Sequence, residues 1–419
     1  MSVSSSRFLP AAASDGTLRP VPFRRLVLCG SLCATVALGC SDGEAPTPTS
    51  APASIQVTAP DSELALGQVL NFTATVLDSA GSPIPGASVT WRSIYPEIAS
   101  VSVLGVVTAR GVGEGTVLVT SSGVSGYLAF QVIDSSITRR VPLFGIPHGL
   151  AVSGNHALVT LLYFDSVAVL DVPAATHTRN VQTGYPPTGV AYNPAGTRAY
   201  VASQDGTITV LDGTSYAVLD TKQIPGTALT TVLVSPDGAT VWVTADGRDR
   251  LYAMDAATLA LTDSVATPSG PNWIARSPVQ PRLYVNGSNG GTVAEFDATT
   301  LTPMRTWNLS GSAQGMVVSA DGARLFVANE GGWLDVIALV PGTVQPQLPL
   351  GPAFGIALSP DGTRLAVGID FSTVVILDAA TMGTVKTVST SAGLRRLAYT
   401  ADGSRLLATA ETGWVDYIR

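Results

Sequence analysis

Cysteine, histidine and lysine are the residues that this sequence has least of. Its three cysteines, Cys29, Cys33 and Cys40, all fall within the first 40 of 419 residues. The remainder therefore has no thiol for a disulfide, a thiolate metal site or a cysteine nucleophile. Only three histidines are present, and no His-Glu-x-x-His, Gly-x-Ser-x-Gly, phosphate-cradling or EF-hand pattern accompanies them. A single His148 beside acidic residues makes neither a catalytic triad nor a three-histidine metal centre.

Positive charge is scarce as well. The chain has 23 Lys and Arg against 30 Asp and Glu, a formal charge of −7. Residues 1–40 hold four Arg and one Asp, so the rest has 19 basic and 29 acidic residues and a charge of −10. The only lysines are Lys222 and Lys386. Proteins that bind nucleic acid neutralise phosphates with many Lys and Arg, so we expect no nucleic-acid partner.

What the sequence does have is turn-forming and apolar residues. It contains 42 Gly and 28 Pro, with 46% hydrophobic and only 13% charged residues. This mixture favours short strands joined by tight turns and argues against a disordered chain or a helical bundle. We therefore predict an all-β protein.

A phrase recurs every 40 to 42 residues from Gly145 to the C-terminus. Each copy has an apolar run, a Pro-Asp-Gly-type turn and two more apolar runs. An Asp ends the third run in five copies, and Ala338 and Arg419 stand there in the fifth and seventh. Because the turn residues repeat from copy to copy, we interpret them as structural. One position in this turn marks each copy, with Gln280 replacing glycine in the fourth: Gly154, Gly196, Gly238, Gln280, Gly322, Gly362 and Gly403.

Seven such copies, each with four strands, predict a seven-bladed β-propeller over residues 136–419. Closing the sheets into a ring protects edges that would otherwise invite aggregation. The last copy ends after its third strand, and an unassigned apolar strand at 137–144 precedes the first copy. We expect residues 136–145 to supply the missing outer strand of the seventh blade and thereby to close the ring.

The repeats resemble the YVTN-type propeller repeat of bacterial surface and secreted proteins. The likeness lies in Ala199-Tyr-Val-Ala202 and in Leu325-Phe-Val-Ala-Asn329, and it extends over about two thirds of the chain. Wider relatives of that repeat include lactonase-like and quinoprotein-like propellers. The resemblance implies a fold much more than a function, because propellers host many activities.

The N-terminus has the pattern of a secretion signal. Arg24-Arg25 precede the apolar run 26–38, and Ala37-Leu38-Gly39-Cys40 resembles a bacterial lipobox. The resemblance implies a signal peptide over residues 1–40, lipidation of Cys40 and a membrane partner through that lipid. Residues 41–53 have the composition of a flexible linker. We expect a bacterial cell-envelope location, in the outer membrane. The alternative is ordinary signal cleavage without a lipid.

Residues 54–134 alternate between apolar and polar positions, as half-buried strands do. We expect seven short strands, at 55–58, 70–77, 89–92, 99–103, 106–109, 116–120 and 127–133. The stretches Val89-Thr-Trp91 and Gly105-Val-Val-Thr-Ala109 resemble the group 2 bacterial Ig-like domain. The resemblance implies a β-sandwich that acts as a spacer, with Trp91 packed in its core. The predicted fold is thus an Ig-like β-sandwich followed by a seven-bladed β-propeller.

Candidate site residues come from aligning the seven copies. At the start of each inner strand, where the central channel should open, the copies differ. A variable ring on a repetitive scaffold is where a ligand-specific surface is expected, and the alternative is a merely solvated rim. We call these residues the mouth residues: His148, Thr188, Thr230, Asn272, Gln314, Phe354 and Arg395. Loops on the same rim carry what we call the rim acids: Asp165, Asp205, Asp246, Glu330, Asp370 and Glu411.

Two functions remain open from the sequence. The first is a membrane-tethered, non-catalytic binding or scaffold protein, whose rim binds an envelope protein or a glycan. The second is a lactonase-like or other hydrolytic propeller acting on a small extracellular substrate. We expect a monomer without a cofactor, although the rim carboxylates could hold one Ca²⁺ ion, which needs only oxygen ligands.

Overall fold

The computed structural model describes residues 51–134 and 136–419. This part of the chain is all-β, and its only helical element is a 3₁₀ turn at Asp246–Arg248. No helix within the described ranges is long and apolar enough to cross a membrane. The predicted signal peptide, the lipidation site Cys40 and residues 41–50 of the linker lie outside the described residues.

The N-terminal part contains nine strands in three small sheets. One sheet pairs β1 with β4, a second has the order β2-β9-β8-β5, and a third has the order β3-β7-β6. The strands are β1 (Ser54–Thr58), β2 (Glu63–Ala65), β3 (Val69–Asn71), β4 (Thr73–Leu77), β5 (Thr90–Ser93), β6 (Ala99–Val101), β7 (Val106–Ala109), β8 (Gly113–Ser121) and β9 (Val124–Ile133).

These three sheets enclose one apolar core. Phe72 and Phe130 are buried there with their rings edge to face, and Trp91 is half-buried against the same cluster. The single strand expected at 70–77 is in fact two strands, β3 and β4, which belong to different sheets. The break falls at Phe72, whose backbone N–H donates to Gly105 O (2.9 Å), the residue just before β7.

The rest of the described chain forms seven sheets, six with four strands and sheet 5 with five. Every sheet except the last is built from consecutive antiparallel strands. In sheet 5 the outer strand is split into two short pieces, both paired with β29. Sheet 1 contains β11 (Ile146–Ser153), β12 (His156–Leu162), β13 (Ser166–Asp171) and β14 (Thr176–Gln182). Sheet 2 contains β15 (Pro187–Tyr192), β16 (Arg198–Ser203), β17 (Thr207–Asp212) and β18 (Val218–Gln223). Sheet 3 contains β19 (Leu229–Val234), β20 (Thr240–Ala245), β21 (Arg250–Asp255) and β22 (Leu261–Ala266). Sheet 4 contains β23 (Ile274–Arg276), β24 (Arg282–Gly287), β25 (Thr292–Asp297) and β26 (Pro303–Asn308). Sheet 5 contains β27 (Ala313–Val318), β28 (Arg324–Asn329), β29 (Trp333–Ala338), β30 (Thr343–Val344) and β31 (Leu348–Pro349). Sheet 6 contains β32 (Ala353–Leu358), β33 (Arg364–Ile369), β34 (Thr373–Asp378) and β35 (Thr384–Ser389). Sheet 7 contains β36 (Leu394–Tyr399), β37 (Leu406–Ala410), β38 (Trp414–Ile418) and β10 (Ile137–Pro142).

The first strands of these sheets form a closed circle of contacts. Each of β11, β15, β19, β23, β27, β32 and β36 contacts the next, and β36 contacts β11. The middle strands, such as β16 and β20, are almost wholly buried because neighbouring sheets cover both of their faces. Outer strands such as β18 are exposed throughout. The arrangement is consistent with a seven-bladed β-propeller, with β11 and its counterparts innermost.

Sheet 7 is completed from the other end of the repeat region. Its order is β10-β38-β37-β36, so a strand from before the first repeat pairs antiparallel with the last strand of the chain. Val141 on β10 is buried against Val415 and Tyr417. The Arg140 side chain also reaches the buried carboxylate of Asp416, with Nε 3.2 Å from Oδ1.

The repeated turns are held by their own aspartates. In three of them a Ser hydroxyl and a backbone N–H donate to the Asp, as in Ser235 Oγ to Asp237 Oδ1 (2.5 Å) and Ala239 N to the same oxygen (3.0 Å). The fourth uses Thr400 in place of serine. These hydrogen bonds lower the pKa of each carboxyl, and that of Asp402 falls to about 2. The Asp side chains thus fix hairpin geometry.

Candidate functional site

All seven mouth residues line one cavity of about 420 Å³. Each lies at or just before the start of the innermost strand of its sheet, so the circle of sheets brings one residue from each to the same opening. Residues 193–194 and 401, which belong to the repeated turns, line a different cavity, of about 590 Å³, at the other ends of these strands. The variable positions and the repeated turns therefore lie at opposite ends of the inner strands.

Four mouth residues form a belt of hydroxyl and amide groups. Thr188 Oγ1 donates to Leu229 O (3.0 Å), and Thr230 Oγ1 donates to Pro271 O (2.7 Å). Each bond links one sheet to the next, and so does the bond from Asn272 Nδ2 to Gln314 Oε1 (3.1 Å). The belt therefore braces the cavity wall.

His148 is an uncharged member of the wall. Its Nδ1 lies 3.3 Å from Thr188 O, so the neutral ring can donate Nδ1–H to that carbonyl and keep Nε2 as an acceptor. Burial, followed by repulsion from Arg396 and Arg395, lowers the pKa of His148 to about 3. The imidazole is consequently neutral at any physiological pH and is a weak base.

Arg395 is paired inside the cavity. Its Nε and Nη2 donate to the two oxygens of Glu411 at 2.7 and 3.2 Å, which is the two-pronged geometry that arginine favours with carboxylates. Its guanidinium also lies 5.4 Å from the centroid of Phe354 and 5.5 Å from that of Phe371. Arg395 is therefore held by a carboxylate and two aromatic rings.

Of the six rim acids, only Glu411 lines the cavity. The side chain of Asp205 instead accepts backbone N–H groups of Tyr185 and Thr207, both at about 3 Å, and so joins its own loop to the loop before β15. Asp165 accepts from Gln182 Nε2 (3.0 Å) on the neighbouring outer strand. Asp246 lies in the 3₁₀ turn, where burial and the nearby Asp249 raise its pKa. Glu330 and Asp370 are exposed.

The carboxylates do not gather around a single point. Across residues 51–134 and 136–419, no three His, Cys, Asp or Glu side chains are arranged to hold a metal ion. A Ca²⁺ ion requires six to eight oxygen ligands, commonly including several carboxylates. These residues therefore provide no cluster of carboxylates for the Ca²⁺ ion considered above.

A second ring of residues, one position further along the chain, was missed by the sequence reasoning. Four of its members are glycine; a Cβ at Gly189 would lie 2.8 Å from Thr230 O, and one at Gly355 would lie 2.6 Å from Arg395 O. The others are one threonine and two large side chains that face each other. We call this set the second ring: Gly149, Gly189, Thr231, Trp273, Gly315, Gly355 and Arg396. Comparing the copies at this position as well would have revealed the two exceptions.

Arg396, which lines the mouth cavity, stacks against Trp273, which lines the cavity at the opposite end. The guanidinium carbon of Arg396 lies 4.0 Å from the Trp273 ring centroid, and the indole N–H donates to Met316 O (2.8 Å). Arg396 borders both the mouth cavity and the cavity at the opposite end. Burial, followed by repulsion from Arg395, lowers its pKa to about 9, so it still carries its charge at pH 7.

Another groove, of about 650 Å³, lies elsewhere, between sheets 3 and 4. It is lined by Trp242, Arg276 and the irregular turn Pro278-Val-Gln-Pro281, where the glycine marker is replaced by Gln280. None of the mouth residues borders it. We take the mouth cavity as the candidate site, because there every sheet contributes a side chain.

Comparison with known proteins identifies a fold and no family. No family model matches the chain, and no curated protein matches it. Among solved structures, a chain of the hydrazine synthase of Kuenenia stuttgartiensis is similar, with a TM-score of 0.61 and 20% identity over 66% of this chain and 96% of that chain. A likeness at that identity concerns the fold alone. What the comparisons show for this chain is an all-β, propeller-like fold.

Proposed function

We propose that this chain is a non-catalytic binding protein of the bacterial cell envelope, whose mouth cavity receives part of a protein or glycan partner. The observation that carries the proposal is the convergence of seven side chains of six residue types on one cavity of about 420 Å³. That volume is within the range of small-ligand sites. The cavity therefore suits a projecting group, such as a sugar or a loop tip, better than a flat surface.

The remaining parts of the proposal concern presentation. The lipobox-like Cys40 would anchor a monomer to the outer membrane, and the linker would let the body stand away from the bilayer. Residues 54–134 would serve as an Ig-like spacer, an interpretation that their small sheets around one core support. The seven sheets that follow in the chain, with the mouth cavity, would then be the binding unit of the protein.

The hydrolytic alternative has less support from the cavity. A general base should have a pKa near the working pH, whereas that of His148 is lowered to about 3. Thr188 and Thr230 donate their hydroxyl protons to backbone carbonyls, and Glu411 is paired with Arg395. Among the described residues that line the cavity, none therefore forms a nucleophile–base pair.

The proposal is tested by capture from a cell-envelope extract of a bacterium that carries this protein. The bait is the chain from residue 41 onward, and the variant bait carries Asn272→Ala and Gln314→Ala. Because both amides border the cavity, we expect the wild type to retain a partner that the variant loses. The matched control is Asn289→Ala with Gln280→Ala, which removes two amides outside the cavity.

Two outcomes would count against the binding proposal. If the control loses the partner as fully as the cavity variant does, the mouth is not where the partner binds. If the wild type captures nothing but converts a small ester or lactone, and the cavity variant does not, the hydrolytic alternative is correct.

A further inference from the structure

Arg396 carries a positive charge that no described carboxylate balances. Its neighbour Arg395, by contrast, pairs with Glu411. Within residues 51–134 and 136–419, no side-chain or backbone oxygen accepts a hydrogen bond from the Arg396 guanidinium, and no acid lies within ion-pair distance of it. Only its stacking on Trp273, at 4.0 Å, favours the cation. Removing a charge from water without a counter-charge is costly, so an arginine left in this state needs an explanation.

Packing does not supply that explanation. Five of the seven second-ring residues are Gly or Thr, so small residues suffice at this position in most sheets. A large apolar residue in sheet 7 could stack on Trp273 just as well and would carry no desolvation penalty. The ring therefore does not need a cation at position 396 in order to close.

The mouth cavity has more free donors than free acceptors. Asn272 Nδ2 and Gln314 Nε2 each use one of their two N–H groups on a neighbouring side chain, which leaves one N–H on each. Arg396 adds the N–H groups of its guanidinium. On the acceptor side, Glu411 is engaged by Arg395, and the neutral His148 has the single acceptor Nε2. Such a cavity is complementary to a ligand rich in acceptors.

We propose that Arg396 binds the carboxylate of an acidic sugar that enters the mouth cavity, with Asn272 and Gln314 donating to its hydroxyl oxygens. The planar guanidinium matches a carboxylate through two parallel N–H···O bonds, which suits this anion better than a lone ammonium would. Amides suit hydroxyl groups, because each can both donate and accept. This inference rests on the proposed function and specifies the chemistry of its ligand.

The observations favour a sugar over an anionic protein tip. The cavity is lined by amides, hydroxyls and Phe354, whose ring centroid lies 4.2 Å from that of Phe371, and most of its other lining residues are polar or charged. The ligand needs only one anionic group, because the other cation that lines the cavity, Arg395, is already paired with Glu411. A sugar carrying one carboxylate among several hydroxyls meets both conditions.

The test compares D-glucuronate with D-glucose, which differ by the carboxylate, by titration calorimetry against the full chain. We expect the wild type to bind glucuronate, and Arg396→Met to weaken that binding about 10- to 100-fold, the usual effect of losing a hydrogen bond to a charged group. Arg396→Lys, which keeps the charge without the fork, should fall between the two. Arg276→Met is the matched control, since Arg276 is also desolvated but borders only the groove between sheets 3 and 4, and it should change nothing.

The result that overturns the inference is equal affinity of the wild type for glucose and glucuronate, or glucuronate binding that Arg396→Met leaves intact. No binding of either sugar also overturns it, and inorganic phosphate binding more tightly than glucuronate overturns the assignment to a sugar acid. Urea unfolding of Arg396→Met shows whether the variant is folded. The extract experiment can be repeated with the Arg396→Met bait, and with the wild-type bait in excess glucuronate. If both capture the partner as well as the wild-type bait alone does, this inference is refuted and the proposed function is not. If the wild type captures nothing, the proposed function itself fails.

Discussion

The closing strand β10 offers the sharpest test of how the ring is held together. Replacing residues 136–145 by a ten-residue Gly/Ser segment keeps the chain connected but removes the strand that pairs with β38. Ile137, Val141 and Leu143 are all less than 10% exposed, with values of 7%, 2% and 6%. Burying one such side chain contributes about 1.5–3 kcal/mol, so the three together contribute about 4.5–9 kcal/mol.

That figure is an upper estimate, because unfolded chains already bury part of their apolar surface. It is nevertheless comparable to the whole stability of a typical domain, about 5–15 kcal/mol. The replacement also removes Arg140 from the buried carboxylate of Asp416, whose exposed fraction is 0%, and it bares the edge of β38. We therefore expect a much lower urea midpoint together with soluble aggregates.

Urea unfolding and size-exclusion chromatography measure both effects. The control replaces residues 78–87, a mostly exposed loop of the same length between β4 and β5, with the same Gly/Ser segment, and it should stay monomeric. A β10 replacement that remains a monomer with the wild-type urea midpoint would refute the argument that this strand fastens the ring.

Two further predictions concern single charges. Arg396→Met should raise the free energy of unfolding by about 1–3 kcal/mol, because it removes a desolvated cation while losing only a cation–π contact. A lower urea midpoint would instead mean that the Arg396 side chain stabilises the fold by its packing. The turn carboxyl of Asp402 has a folded pKa of about 2, below its unfolded value, so its stabilisation is complete above about pH 4 and is lost as pH falls toward 2. Asp402→Asn should accordingly lower the urea midpoint at pH 7 and flatten its decline between those pH values, whereas a parallel decline would contradict the assignment.

The repeat could be predicted from the sequence because its signals are local. Each copy has its own hairpin turn, as at Asp237-Gly238, and each alternates apolar runs with turns. Once the copies are aligned, the same offset leads to the same place in every sheet, and all seven mouth residues do border one cavity. Whether they bind a ligand stays a prediction.

The rim acids show where that reasoning stops. They lie on loops, where the direction of a side chain depends on backbone angles that no periodicity determines. Asp370, for example, has a φ of +50°, and Asp205 turns back to accept two backbone N–H groups. Alignment could place these residues at the rim but could not tell that Glu411 alone would reach the cavity.

The N-terminal part was harder to predict because its strands depend on distant partners. Glu63–Ala65 was not expected to be a strand; it is three residues long and pairs in parallel with β9, far along the chain. The expected strand 70–77 reads as one alternating run, yet its halves pair with β7 and with β1. Such divisions follow from long-range pairing, which single-sequence patterns do not record.

The charges of the body and of the cavity have opposite signs, and the contrast bears on which ligands can enter. The chain beyond residue 40 has a formal charge of −10, and the rim carries exposed acids such as Glu330 and Asp370. A densely charged polyanion would meet repulsion from this surface before any of its groups reached Arg396. A ligand with one carboxylate among neutral hydroxyls meets little repulsion, and inside the cavity it gains a guanidinium that has no other anion among the described residues. We therefore expect the same arrangement to disfavour nucleic acid and to favour a singly charged, otherwise polar group.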